Sequence, residues 1–199
     1  MRIGIDIDGV LADNIPQTCD AINLRLGTSV CASDLVTYDW LNGFLQDKVE
    51  DPSALLSEFW YDPEFLRNAP FMLPALTACR RMAGMLDEIH IVTARSAHTQ
   101  DAAVMDATRA WLDRYGIPYS KIVHTRDKTA YCLEHKIAYL IEDAPATAVQ
   151  AATNGLRVFL VDAPYNRDVV DGATGTGRGR IFRVNHIGEV PDLLRKDMK

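Results

Sequence analysis

Residues 2–13 read RIGIDIDGVLAD, and the reading of this stretch decides the fold. Ile3, Ile5 and Ile7 alternate with Gly4, Asp6 and Asp8. Strand side chains repeat every second residue, so a strand over residues 2–7 sets the isoleucines on one face and Asp6 and Asp8 on the other. Two carboxylates on one face repel unless something positive stands between them. A calcium hand is excluded as the reason. Its loop, begun at Asp6, needs glycine at the sixth position and glutamate at the twelfth, where the chain has Leu11 and Gln17.

Outward from this strand, the chain after residue 72 alternates between two periods. EIHIVTA (88–94) is a β-branched run that reads as a buried strand. After it, Val104, Ala107, Trp111, Leu112 and Tyr115 fall at helical spacing, with Gly116 as a stop and Pro118 beyond. The pattern recurs as strand SKIVHT, helix KTAYCLEHK, strand IAYLIED, helix APATAVQAATNG and strand LRVFLV. Strands alternating with helices predict an α/β fold, a parallel sheet covered on both faces.

Residues 15–72 break the alternation. QTCDAINLRLG and SALLSEFWYDPEFL are helix-like, and no β-run stands between them. The segment reads as a small helical cap inserted after the first strand, with the core formed by residues 1–14 and 73–199. Ligands of open parallel sheets bind at the carboxyl ends of the strands, so such an insertion sits over the site as a lid. The glycines of DGATGTGRGR (171–180) precede the β-like IFRV rather than a helix, which makes them a surface loop and not a dinucleotide fingerprint.

The 199 residues are 48% hydrophobic and 24% charged, the composition of a folded globular protein. A net charge of -6 argues against a partner made of polymeric nucleic acid, and leaves room for a small anion held by a few local cations. Cys19, Cys31, Cys79 and Cys132 are too scattered for a zinc cluster or disulfide framework and read as reduced thiols. No run approaches the ~18 apolar residues of a membrane span and no signal-type segment opens the chain, so a cytoplasmic protein with no membrane partner is expected.

Each strand of the alternating set ends in a polar group. Asp6 and Asp8 close the first, Thr93 the second, and Glu142 with Asp143 the IAYLI strand, while Lys128 opens the helix before it. Converged at one sheet edge, these groups are the equipment for moving a phosphoryl group. Hard oxygen donors in small number suit Mg²⁺, which keeps several waters and accepts phosphate oxygens. A carboxylate serves as nucleophile, and the metal and an ammonium neutralise charge as the group transfers. Singly, each residue has a plainer explanation: Thr93 as a turn cap, Lys128 as an exposed lysine, Asp143 as the N-cap of the helix begun by Pro145. The five histidines show no ligand spacing.

DIDGVLAD, IVTAR, DKTAYC and LIEDAP, in this order, resemble the four motifs of the haloacid dehalogenase (HAD) superfamily of phosphatases. FWYDPEFLRNAP, WLDRYGIP and VDAPYNR look like the 5'(3')-deoxyribonucleotidases within it. The resemblance implies a Rossmann-like core and assigns roles. Asp6 attacks phosphorus and binds Mg²⁺. Asp8 protonates the leaving oxygen, later activates water, and lends its backbone carbonyl to the metal. Thr93 and Lys128 hold phosphoryl oxygens, and Asp143 completes the metal's protein ligands. Gly9 lets the backbone come close where the chain leaves the strand.

One departure stands out: relatives often carry Asp-Asp where this chain has Glu142-Asp143, and the longer acid still reaches a metal-bound water. The expected substrate is a nucleoside monophosphate. Phe59 and Trp60, with Tyr61, offer rings for a base, although three consecutive aromatics cannot share one helix face. Arg95 is placed to bind phosphate or sugar hydroxyls. A sugar phosphate or another small phosphomonoester is the alternative substrate, and an idle nucleotide-binding relative the alternative class. The sequence leaves a homodimer open.

Overall fold

The structure, a computed structural model, describes residues 1–97, 99–173 and 179–198. Most of the glycine-rich loop (174–178) and His98 lie outside the described residues. The chain runs β1 (Arg2–Ile5), α1 (Asn14–Leu26), α2 (Trp40–Leu45), α3 (Pro52–Trp60), α4 (Pro63–Arg67) and α5 (Pro74–Ala83), then β2 (Glu88–Thr93) and α6 (Ala102–Arg114). It continues through β3 (Lys121–His124), α7 (Lys128–Glu134), β4 (Tyr139–Glu142), α8 (Pro145–Thr153), β5 (Arg157–Val161), β6 (Gly172–Ala173), β7 (Arg180–Val184) and α9 (Val190–Asp197).

One sheet in the order β3-β2-β1-β4-β5-β7-β6 organises the molecule. Six strands are parallel, and the two-residue β6 pairs antiparallel at the β7 edge. Alternation along the strands splits the core in two. Ile3, Ile5, Ile91, Ile141 and Phe159 face α5, α6 and α9, while Leu140, Val158, Leu160 and Ile181 face α7 and α8. Near-continuous apolar strands are what a sheet buried on both faces requires. The α/β fold expected from the alternating periods is therefore the fold observed.

Two local readings change. The first strand ends at Ile5, two residues early, because the carbonyl of Ile7 accepts N–H bonds from Val10, Leu11 and Ala12 and closes the chain into a tight turn. Ile7 still joins Ile3 and Ile5 in the core, but Asp8 rides on this turn and not on a strand. SALLSEFWYDPEFL forms two helices, not one. Asp62 caps the second by accepting from the N–H groups of Glu64 and Phe65, and Pro63 takes its first position, where no donor is needed.

The helical segment carries its own apolar cluster, including Cys19, Ile22, Leu41, Leu45, Leu55 and Leu56. It returns to the sheet through residues 69–72, where the Pro70 carbonyl accepts from Asp13 N–H and the Leu11 carbonyl accepts from Met72 N–H. Trp111 of α6 fixes this return: it is fully buried and its indole N–H donates to the Ala69 carbonyl at 2.8 Å. Cys19, Cys79 and Cys132 are buried free thiols, and Cys31 is exposed. No helix among the described residues is long and apolar enough to cross a membrane. Replacing Trp111 by alanine removes a large packed ring and a buried hydrogen bond together, and should destabilise the protein by about 3–5 kcal/mol. Urea denaturation of the Trp111→Ala variant measures it, and a loss under about 1 kcal/mol would contradict this anchoring.

Candidate active site

The strand order reverses between β1 and β4. From β1 the chain proceeds to β2 on one side, and from β4 to β5 on the other, which opens a crevice at their carboxyl ends. Asp6 follows β1, Glu142 ends β4, and Asp143 comes next. The Asp6 N–H donates to the Ile141 carbonyl at 3.0 Å, holding the two strand ends side by side. Gly9, at φ 74°, allows the turn that follows, and a Cβ there would overlap the Asp143 carboxylate. Only glycine meets both demands.

Between these strand ends lies the ammonium of Lys128, the first residue of α7, which is N-capped by the Asp127 side chain on Ala130 N–H. Lys128 Nζ stands 2.5 Å from Asp6 Oδ2 and 2.8 Å from Glu142 Oε2, and all three side chains are buried. The other Glu142 oxygen accepts from the N–H groups of Asp143 (3.3 Å) and Ala144 (3.0 Å). Burial works against the charge on Lys128, but the attraction of Asp6 and Glu142 outweighs it and holds its pKa above the ordinary lysine range. For Asp6, burial dominates: the carboxyl is pushed up to about 8, with Lys128 opposing the shift and Glu142 and Asp8 adding to it. Burial, then repulsion from Asp6, pushes Asp143 up to about 7.

Asp6, Glu142 and Asp143 present carboxylate oxygens all within 4.8 Å of one another. One ammonium faces three buried acids, so the cluster lacks positive charge. A hard divalent cation such as Mg²⁺ fits this all-oxygen donor set and would supply what is missing. Asp143 does not cap the following helix, as one reading of the sequence had it. Ala144 occupies the N-cap position and has no polar side-chain atom to cap with, while the Asp143 carboxylate accepts from the Tyr165 hydroxyl. Tyr165 rests on a braced loop. Asn166 donates to the Asp143 and Val161 carbonyls at 2.8 Å each, and Arg183 donates to Asn166, Asp162 and the Val169 carbonyl.

Asp8 lies across the crevice, gripped by Arg95. The guanidinium donates from Nε at 2.9 Å and from Nη2 at 2.6 Å to the two carboxylate oxygens. Thr93 is fully buried, its hydroxyl oxygen accepting from the Arg95 N–H at 3.2 Å, and it is its neighbour Ala94 that lines the crevice.

Above the carboxylates a cleft of about 530 Å³ opens between the sheet edge and the helical segment, within the size range of small-molecule sites, roughly 300–1,000 Å³. Trp60 and Tyr61 line it, whereas Phe59 packs against Phe65 at a centroid distance of 5.7 Å within the segment. Successive helical residues point about 100° apart, so Phe59 and Trp60 part ways. Trp60 is oriented by an indole bond to Thr18 Oγ1 at 3.3 Å. Sequence reasoning missed Tyr38, whose ring meets that of Tyr165 edge-on at 5.7 Å, and Arg126, which lines the cleft two residues before Lys128. Arg126 had a signal in its nearness to Lys128; Tyr38 sits in an irregular stretch whose pattern points nowhere.

Solved structures share this architecture. A HAD-superfamily hydrolase of subfamily IA, variant 1, from Geobacter sulfurreducens PCA has a TM-score of 0.58 at 17% identity, with 97% of this chain and 95% of that chain covered. The D,D-heptose 1,7-bisphosphate phosphatase from B. bronchiseptica, complexed with magnesium and phosphate, reaches 0.55 at 15%, covering 98% of both. That from Burkholderia thailandensis reaches 0.56 at 12%, covering 97% of both. No curated protein matches the chain. The fold is that of the HAD-superfamily hydrolases. Within that class the chain belongs to the family described as "5' nucleotidase, deoxy (Pyrimidine), cytosolic type C protein", whose model matches residues 1–176. It is a phosphoric monoester hydrolase.

The raised carboxyls have a consequence for stability. Asp143 binds its proton more tightly folded than unfolded, where its pKa is near 3.8. The folded state therefore holds the extra proton between about pH 4 and 7, and the stability this gives is lost as pH rises through that window. An asparagine does not titrate. Without divalent cations, the stability of Asp143→Asn relative to wild type should rise from pH 5 to pH 8 in urea titrations; a pH-independent difference would contradict the shift.

Proposed function

We propose that this hydrolase is a Mg²⁺-dependent nucleotidase that releases phosphate from nucleoside monophosphates, deoxyribonucleotides among them, through an aspartyl-phosphate on Asp6. The observation that carries the reading is the placement of Asp6 against Lys128, Glu142 and Asp143, with Asp8 across the crevice, beneath a cleft walled by Trp60 and Tyr61. The family's description names a deoxy 5' nucleotidase, which supports the substrate class.

Asp6 would attack phosphorus with one carboxylate oxygen as the ester P–O bond breaks, and Asp8, released from Arg95 and carrying a proton taken from solvent, would pass it to the leaving oxygen, which departs as a hydroxyl. Asp8 would then take a proton from the water that attacks the phosphoryl-aspartate, which frees inorganic phosphate and restores Asp6. Asp6 and Asp143 would hold Mg²⁺, together with the Asp8 backbone carbonyl, with Glu142 beside them. The ion, when bound, supplies charge neutralisation for the nucleophile and the transferring phosphoryl oxygens.

Lys128 would hold a phosphoryl oxygen while keeping Asp6 in place. Arg95, which lines the cleft beside Asp8, would bind the phosphate or a sugar hydroxyl. Residues 15–72 would act as the cap over the core of 1–14 and 73–199, with Trp60 stacking on the base.

With EDTA, phosphate release should stop, and added Mg²⁺ should restore it. Asp6→Asn should lower kcat by at least about 10³-fold, as loss of a nucleophile does. A phosphate-release assay over nucleotides, sugar phosphates and aryl phosphates checks both, and an Asp6→Asn enzyme as fast as wild type would refute the chemistry. Trp60→Ala should raise KM for nucleotides about tenfold, in line with base stacking. An equal rise for p-nitrophenyl phosphate would assign Trp60 to the fold and not to the base.

A further inference from the structure

Asn14, Asn42 and Arg95, all lining the cleft, each bury a side-chain atom without a hydrogen-bond partner, but Arg95 is bound to Asp8 and Asn42 to Asp39, which leaves Asn14 as the one of the three with no side-chain bond. It is 9% exposed, and its side-chain oxygen is buried without a hydrogen-bond partner. The surrounding wall is apolar, with Ile15, Leu35, Leu41 and Leu66 lining the same space. A buried amide with an unmet hydrogen bond is costly to keep, and a partner that arrives with the substrate repays it by selectivity. Asn14 has no structural duty that needs an amide. It is the first residue of α1, where Thr18 binds only its backbone carbonyl, at 2.9 Å.

Its place along the wall identifies the partner. Asn14 follows Asp8 by six residues, directly after the turn that carries Gly9. Thr18, one helical turn further on, receives the Trp60 indole N–H, and one turn advances about 5.4 Å. The wall thus presents the reacting carboxylates, then Asn14, then Trp60. A phosphate at Asp6 and a flat base on Trp60 leave the connecting sugar ring at Asn14. A side-chain amide can turn its oxygen or its nitrogen toward that ring, and a hydroxyl suits either, because it both donates and accepts.

We propose that Asn14 hydrogen-bonds a hydroxyl of the sugar ring that joins phosphate to base, and that this contact makes the enzyme discriminate among ribose, 2'-deoxy and 3'-deoxy substrates. The proposal rests on the reading that phosphate binds at Asp6. A ring without that hydroxyl leaves the amide unpaired, as it is before substrate binds.

The test compares wild type and Asn14→Leu on one ribonucleoside 5'-monophosphate and its 2'-deoxy, 3'-deoxy and 2',3'-dideoxy counterparts. In wild type, removal of one particular hydroxyl should lower kcat/KM about tenfold, chiefly through KM, the effect of one lost hydrogen bond. In Asn14→Leu the same removal should change kcat/KM by less than about twofold, within the range of a contact that is no longer made. The proposal is overturned if wild type treats all four nucleotides alike, or if the variant keeps the wild-type ranking. Should Asn14→Leu fail to fold by circular dichroism, Asn14→Ala carries the same comparison. Should wild type hydrolyse sugar phosphates and no nucleotide, the nucleotide reading alone fails. Ribose 5-phosphate and 2-deoxyribose 5-phosphate then replace the nucleotides, with the same two outcomes.

Discussion

The ammonium of Lys128, buried between Asp6 and Glu142, is the contact that makes the rest of this arrangement possible. Parallel strands bring their carboxyl ends together, and here those ends carry acids. Without a cation, Asp6, Glu142 and Asp143 would repel at close range in a medium of low polarity. Removing one partner from a buried ion pair leaves an uncompensated charge, which typically costs about 3–5 kcal/mol. Lys128 meets two of the three acids, and burial, with repulsion among the acids adding to it, still raises the carboxyls of Asp6 and Asp143. The fold thus holds a site short of positive charge.

Around this centre the molecule divides its support. On the core side, Arg183, Asn166 and Tyr165 form a braced loop that ends on Asp143. On the other side, Arg95 fixes Asp8 with two donor nitrogens, a fork geometry lysine lacks. The helical segment touches both halves of the site. Tyr38 meets Tyr165, and Trp60 and Asn14 line the cleft above the carboxylates. The clustered acids lie at the carboxyl edge of the sheet, and the helical segment supplies the opposite wall of the cleft.

Much of this was legible in the sequence, for identifiable reasons. The isoleucine alternation fixed β1 as a core strand, and the alternating periods gave the parallel sheet. Acids at strand ends implied a meeting at one edge, since parallel strands share a direction, and Asp6, Glu142 and Asp143 do meet. The limit of β1 was not legible, because the Ile7 carbonyl closes a turn that strand periodicity does not announce. Nor was the orientation of Asp143, since its partner Tyr165 lies 22 residues away in the chain. The same holds for the cleft: which of Phe59 and Trp60 faces it depends on helix rotation, and Tyr38 lies in a stretch with no period at all.

Convergence of these acids on one divalent cation can be seen by soaking crystals in Mn²⁺ as a stand-in for Mg²⁺ and collecting anomalous diffraction. A single strong anomalous peak is expected within coordination distance of the Asp6 and Asp143 carboxylates. A map with no peak there, with Lys128 still seated on Asp6, would contradict it.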